Sequence, residues 1–168
     1  MTQKRESVVR ETDDEARVLA RRLIDTARYA ALAFTDPQTG YPVASQVLIA
    51  TDIDGCPTIL VSWLAAHTRA LLEDGKCGLL VGEPGKGDPM AWPRMSIQCN
   101  AARIPEEAPG RVAIRQRFLE RNPKAQLYAD FADFLFFRLE PIAASLNGGF
   151  GKAYSLASGD ILGEQPET

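Results

Sequence analysis

Histidine is almost missing from this sequence: His67 is the only imidazole in 168 residues. Cysteine is scarce as well. Its three positions, Cys56, Cys77 and Cys99, stand 21 and 22 apart. An odd count without a closely spaced pair argues against a disulfide framework, and one histidine without a nearby cysteine pair argues against a structural zinc site. No apolar run approaches the roughly 20 residues that a membrane helix requires, and the opening MTQKRESVVRETDDEAR has no apolar signal core. These absences point to a cytoplasmic protein with reduced thiols and no membrane partner. A dominant sign of charge is also lacking: 19 basic and 22 acidic residues leave a formal net charge of −3, not the basic footprint of a nucleic-acid-binding domain. No serine lies in a G-x-S-x-G elbow, and no cysteine–histidine pairing is suggested by spacing. The acidic pairs Asp13-Asp14, Glu73-Asp74 and Glu106-Glu107 fall near expected helix ends, where they look electrostatic. So few groups are suited to acid–base work that no catalytic residue and no metal ligand is assigned. An enzyme built on this sequence would take its reactivity from a cofactor.

What is present is one domain's worth of patterned chain, spanning 1–168 with loose tails expected at 1–10 and 157–168. Thr12 followed by Glu15 reads as a capping box. Ala16, Leu19, Leu23, Ile24 and Ala27 then repeat at helical spacing, which predicts a helix over 13–28. After it the period shortens. Strands are predicted at 29–36, 42–52, 56–62, 77–82, 94–104 and 133–146, the last interrupted at Pro141. Turns fall at Asp36–Gly40 and Asp52–Gly55. Thr68–Asp74 reads as a short helix stopped by Gly75. Arg111–Arg121 reads as a helix with Val112, Ile114, Phe118 and Leu119 on its apolar side, and Pro123–Ala129 as the start of another. The fold class is therefore mainly β with flanking α-helices, an antiparallel meander that a closed or half-closed barrel would protect from edge pairing.

Three stretches could carry chemistry. Thr68 at the start of a short helix, next to His67 and Arg69, suits an anion. A helix N-terminus exposes unpaired N–H groups, and a guanidinium offers a fork of donors. From spacing alone the plainer reading leads, because a threonine N-cap is common: Thr68 as the cap, Arg69 as a solvated residue and His67 as a polar loop residue. Ser45-Gln46 is a polar pair in an otherwise apolar strand; it either meets a ligand ring or is ordinary in–out alternation. Asn147-Gly148-Gly149-Phe150-Gly151-Lys152 either brings backbone, ring and ammonium to a ligand or forms a bulged turn before a last strand.

Taken together, RYAALAFTDPQTGYPVASQVLIATDIDG, ILVSWLAAHTRALLEDGKCGLLVGEPGKGDPM, RFLERNPKAQLYADFADFLFFRLEP and NGGFGKAYSL resemble the FMN-binding split-barrel proteins related to pyridoxamine 5′-phosphate oxidase, nearest the haem-utilisation branch. The matching stretches cover about residues 28–156. The resemblance implies a six-stranded antiparallel split barrel, a homodimer, and FMN in two symmetric sites at the subunit interface. Carried over position by position, Ser45, Gln46 and Val47 would lie along the flavin ring, and Ser62 and Trp63 would approach the ring or ribityl chain. His67, Thr68 and Arg69 would grip the phosphate. Arg94, Met95 and the Gly149–Lys152 loop, Lys152 included, would reach the site from either subunit. Arg69 is the one basic residue in that corner. The sequence also ends before the C-terminal extension with which haem-utilising relatives help hold haem. Two functions follow from these residues: an FMN-dependent oxidoreductase acting on a small molecule, or a binding module for a phosphorylated or tetrapyrrole ligand.

Overall fold

The computed structural model describes residues 9–163, and the outermost parts of the two expected tails lie outside them. Val9–Arg10 (β1) is followed by helix α1 (Asp14–Thr26) and strands β2 (Tyr29–Thr35), β3 (Pro42–Leu48), β4 (Ala50–Thr51) and β5 (Pro57–Ser62). Then come α2 (Ala66–Glu73), β6 (Lys76–Val81), β7 (Arg94–Arg103), α3 (Arg111–Arg121), β8 (Phe134–Asn147), β9 (Ala153–Ala157) and α4 (Ser158–Ile161). Short 3₁₀ turns occupy Pro89–Ala91 and Pro123–Leu127.

Among the described residues nine strands, not six, share one sheet, in the order β1-β9-β8-β7-β6-β2-β3, with β5 pairing both β4 and β8. The six expected strands are all there. The second breaks at Ile49 into β3 and β4, the glycine-rich end leads into β9, and Val9–Arg10 joins β9 in parallel. Residues 9–10 and 158–161, expected in loose tails, are thus part of the fold, and Ile161 is buried in the core. The barrel divides at β8. One edge of this strand pairs with β7 from Phe137 to Asn147. The other pairs with β5 over Phe134–Arg138 and then with β9 over Ala143–Asn147.

Pro141 does not interrupt β8. The ladder shifts register opposite it, between Gln98 and Cys99, and β8 runs on past the bulge. A proline has no ladder N–H to give, and a bulge is where a strand tolerates that loss.

Alternation builds the core. Leu32, Val47, Ile59, Val61, Leu79, Val81, Met95, Ile97, Cys99, Phe137, Leu139 and Leu146 point to one interior, closed by Ala16, Ala20 and Ile24 of α1. Leu60 and Phe136 point the other way, and Ile114 and Phe118 of α3 cover them. Val112, expected on the apolar side of α3, is instead 79% exposed. The α1 cap is Asp13, whose carboxylate accepts from Ala16 N–H at 2.8 Å, not Thr12, whose hydroxyl donates to Ser155 C=O. The last turn of α1 carries no basic residue, so its C-terminal carbonyls draw on Arg121 of α3, which donates to Ile24 and Asp25.

Gly75 ends α2 for a reason other than a left-handed cap. A Cβ built there would stand 2.7 Å from the Ala101 carbonyl oxygen, and Ala101 N–H donates to Gly75 C=O at 2.7 Å. Glycine allows this close approach of β7 to the α2–β6 link.

Candidate functional site

The strand β5 delivers the chain to α2 through a tight corner with Ser62 at its hub. The Ser62 carbonyl accepts from Ala65 N–H at 3.1 Å and from the Thr68 hydroxyl at 2.6 Å, while its own hydroxyl accepts from Leu64 N–H. Trp63 N–H donates to Asp133 C=O at 2.6 Å, which ties the corner to the turn before β8. Trp63 and Leu64 are 48% and 76% exposed, and Phe131 is exposed in that neighbouring turn.

The helix begins at Ala66, two residues earlier than expected, with Ala65 as a cap that offers no side-chain bond. Thr68 is therefore inside the first turn, not at its cap. It is fully buried, and its one hydroxyl proton is committed to Ser62, so it orients the corner and has no proton left to donate to a ligand. His67 is half-buried, its ring edge-on to Phe34 with centroids 6.2 Å apart. Burial lowers its pKa, so it is a neutral imidazole at pH 7 and adds no charge. Arg69 is exposed, and its guanidinium has no hydrogen-bond or ion-pair partner among the described residues. It lines a shallow cleft with Ala66, Glu73 and the Asp36–Gln38 turn, so two carboxylates flank the one guanidinium.

The remaining expected contacts are scattered. Val47 packs into the main core, Ser45 is half-buried opposite Leu32, and Gln46 is exposed opposite Ala31. Lys152 follows the far end of β8. From Phe134, which pairs with Ser62, to Asn147 the strand runs on the order of 40 Å at ~3.3 Å per residue. In a single protomer, Lys152 and the α2 corner are thus not brought together. The residues before Lys152 do form the bulged turn. Gly149 N–H donates to the Asn147 side chain, Gly148 N–H to Lys152 C=O, and Gly149 has φ +116°. This turn presents Phe150, 72% exposed, and leans on Ala91 of the loop that carries Trp92 and the Arg94 guanidinium contacts.

Two arrangements escaped the sequence reading. Arg138 holds Asp52, Asp54 and Glu140 in a half-buried cluster beside Cys56. The signal for it is a pair of charged residues, Arg138 and Glu140, spaced by two within an apolar strand. The other is that Cys77 and Cys99, 22 apart in sequence, are directly opposed on β6 and β7.

Among the described residues no helix is long and apolar enough to cross a membrane, and no group of three or more His, Cys, Asp or Glu could hold a metal ion.

Comparison with known proteins places this geometry. The chloroplastic heme oxygenase HOZ of Arabidopsis thaliana is 35% identical over 132 residues, 79% of this chain. The chain spans only 39% of that relative's length. A solved protein of Agrobacterium tumefaciens is 31% identical with a TM-score of 0.78, matching 89% of this chain and 61% of its own. A heme binding protein from Mycobacterium smegmatis is 27% identical with a TM-score of 0.80, over 87% of this chain and 59% of its own. The family described as CREG, beta-barrel matches residues 11–160, nearly the whole described chain, and the split at β8 accords with it. The chain belongs to this CREG beta-barrel family.

Proposed function

We propose that the protein binds a haem-like tetrapyrrole, at a site completed by a second copy of the chain. The observation that carries this reading is the α2 corner: Trp63 and Leu64 are exposed on the turn that leads into the helix carrying Arg69, whose guanidinium has no partner among the described residues. A flat apolar ligand with carboxylate ends suits an apolar platform next to one guanidinium. The heme oxygenase and heme binding relatives support the same ligand class.

FMN is the second reading, supported by the resemblance of the sequence to FMN-binding split-barrel proteins. The fit of the corner to its phosphate is poor. Thr68 has no proton to donate, His67 is neutral, and Asp36 and Glu73 flank Arg69. A phosphate gathers close to two charges on one group, more than one flanked guanidinium balances, whereas each haem carboxylate carries one charge and the second can stay in solvent.

A homodimer accounts for the separation of Lys152 from the corner, because a partner's glycine turn can approach where the protomer's own cannot. The outward positions of β2, β3, β7 and β8 support such a contact. Ala33, Ala44, Gln46, Gln98 and Ser145 are exposed there on small or uncharged side chains that let another surface come close.

Titration of the purified chain with haem and, separately, with FMN tests the reading, with light scattering for the assembly. Expected are a shifted haem absorption band that saturates at one equivalent per subunit, weaker FMN binding, and a dimer. An unchanged haem spectrum together with tight FMN uptake would replace the first reading with the second.

A further inference from the structure

The β6–β7 ladder sets Cys77 directly opposite Cys99 in an antiparallel pair. Directly opposed residues in such a ladder have Cα atoms roughly 4.5 or 5.5 Å apart, according to whether the pair is hydrogen-bonded. Both separations fall in the window of roughly 4.4–6.8 Å that a disulfide spans. Cys77 and Leu79 of β6 and Ile97 and Cys99 of β7 face the same interior, so the two side chains share a face as well as a register. The ladder holds the two residues together, so bond formation in the folded chain requires almost no further loop closure.

The three cysteines differ in access. Cys56 and Cys99 are buried, whereas Cys77 is partly open to solvent. The Cys56 thiol lies against the Leu139 carbonyl and Glu140, and burial pushes its pKa up. The neighbouring Cys99 thiol pulls the Cys77 pKa down, while the Cys77 thiol and burial push that of Cys99 up. The pair thus has a partly accessible sulfur, the readier of the two to ionise, and a sealed neighbour, the arrangement of an attacking and a resolving cysteine.

We propose that Cys77 and Cys99 form a reversible cross-strand disulfide, a redox-modification site on the β6–β7 ladder. The oxidant is a low-molecular-weight disulfide. The Cys77 thiolate attacks one of its sulfurs, the small S–S bond breaks, and one small thiolate leaves. Cys99 then loses its proton to solvent and attacks the Cys77 sulfur, displacing the second small thiolate. Two protein thiols are oxidised by two electrons, and one small disulfide is reduced to two thiols. A bond with one partly exposed sulfur belongs to the labile class that a reductant reopens. This inference does not depend on which ligand the α2 corner takes.

The full chain is incubated with oxidised glutathione, free thiols are alkylated, and the tryptic peptides are compared with and without dithiothreitol. The expected product is peptide 77–86 linked to peptide 95–103 within one chain, reopened by dithiothreitol, with Cys56 left alkylatable after unfolding. In Cys99→Ser, Cys77 should stop as its glutathione adduct. In Cys77→Ser, which alters the less buried position, Cys99 should stay unmodified. The proposal is overturned if wild type also stops at the Cys77 adduct, if both thiols stay free, or if the linked peptides appear only between chains.

Discussion

The two ends of β5 use their arginines in opposite ways. At its start, Arg138 of the neighbouring strand bonds Asp54 at 2.9 Å and Glu140 at 2.7 Å, and pairs with Asp52 as well. Burial on its own would lower the Arg138 pKa; the bonds to Glu140 and Asp54 outweigh that and raise it. Asp54 also accepts from Cys56 N–H, so the cluster locks the Asp52–Gly55 turn, where Gly55 takes φ +85°, against the barrel. At the other end, Arg69 stands in the open, its guanidinium without a partner among the described residues, on a helix whose first turn is fixed from below by Thr68. The first arginine is committed to the fold. The second is exposed and unpaired, and under the proposed function it is the group left for a ligand.

The comparison predicts its own largest break. Arg138→Met leaves three carboxylates together, two of them largely buried, without their cation, and should lower the unfolding free energy by about 3 kcal/mol. Denaturant unfolding measures it. Adding Asp54→Asn should recover part of the loss, since one uncompensated buried charge is then gone. A single variant as stable as wild type would show that the cluster does not hold the turn. Arg69→Ala should do the reverse, leaving stability within about 0.5 kcal/mol and weakening haem binding roughly tenfold, as loss of one solvent-exposed charge-assisted bond implies. A titration curve that overlays wild type would remove Arg69 from the site.

The difference between these regions also marks what could be read from sequence. Strand periodicity, the two hairpin turns and α3 were legible because they rest on local spacing and turn residues. The cap of α1 was misassigned because Thr12 and Asp13 are both good caps, and only the position of β9 decides that Thr12 bonds Ser155. Arg69 was found as a candidate because it follows a helix start. Thr68 was found too, but its role was not, since the Ser62 carbonyl that takes its proton lies six residues back, around a corner that spacing cannot fold. Arg138 was invisible as a hub: its partners Asp52 and Asp54 are 86 and 84 residues away, brought in by the β5–β8 register. Cys77 and Cys99 stayed apart on paper for the same reason, because a ladder between two strands decides which residues meet.

Thr68→Val sharpens the comparison at the open end. The valine fills the same space but strips the Ser62 carbonyl of one donor, which should cost about 1–2 kcal/mol of stability. Because Thr68 is a positioning residue, haem affinity should fall with it, although no ligand contact is removed. Retained affinity alongside lost stability would mean that the corner does not need this bond to present Trp63 and Arg69. The matching change at the committed end has the opposite sign. Thr58, opposite Arg138 in the register, is fully buried with its hydroxyl unpartnered among the described residues. Thr58→Val removes that unsatisfied group and should raise stability by about 1 kcal/mol, read from the shift of the unfolding midpoint.

The smallest effect concerns His67 and the pH dependence of the open end. Burial depresses its folded pKa below the ordinary 6.5, so the unfolded chain binds this proton more readily than the folded one. The associated stability is present in full above the unfolded value and is lost as pH falls below it, until the folded imidazole also protonates. Asp130 and Asp160, held below the usual carboxylate value of 3.8 by Arg115 and Arg17, act at lower pH, so His67 should dominate the slope between about pH 6.5 and pH 5. In His67→Gln, which is neutral throughout, that slope should flatten. Unfolding free energies of wild type and variant should differ by a constant above this window and move closer together, or cross, within it. Parallel curves through the window would mean that the imidazole is as free to take a proton in the fold as in water, and that its packing against Phe34 does not keep the corner's charge on Arg69 alone.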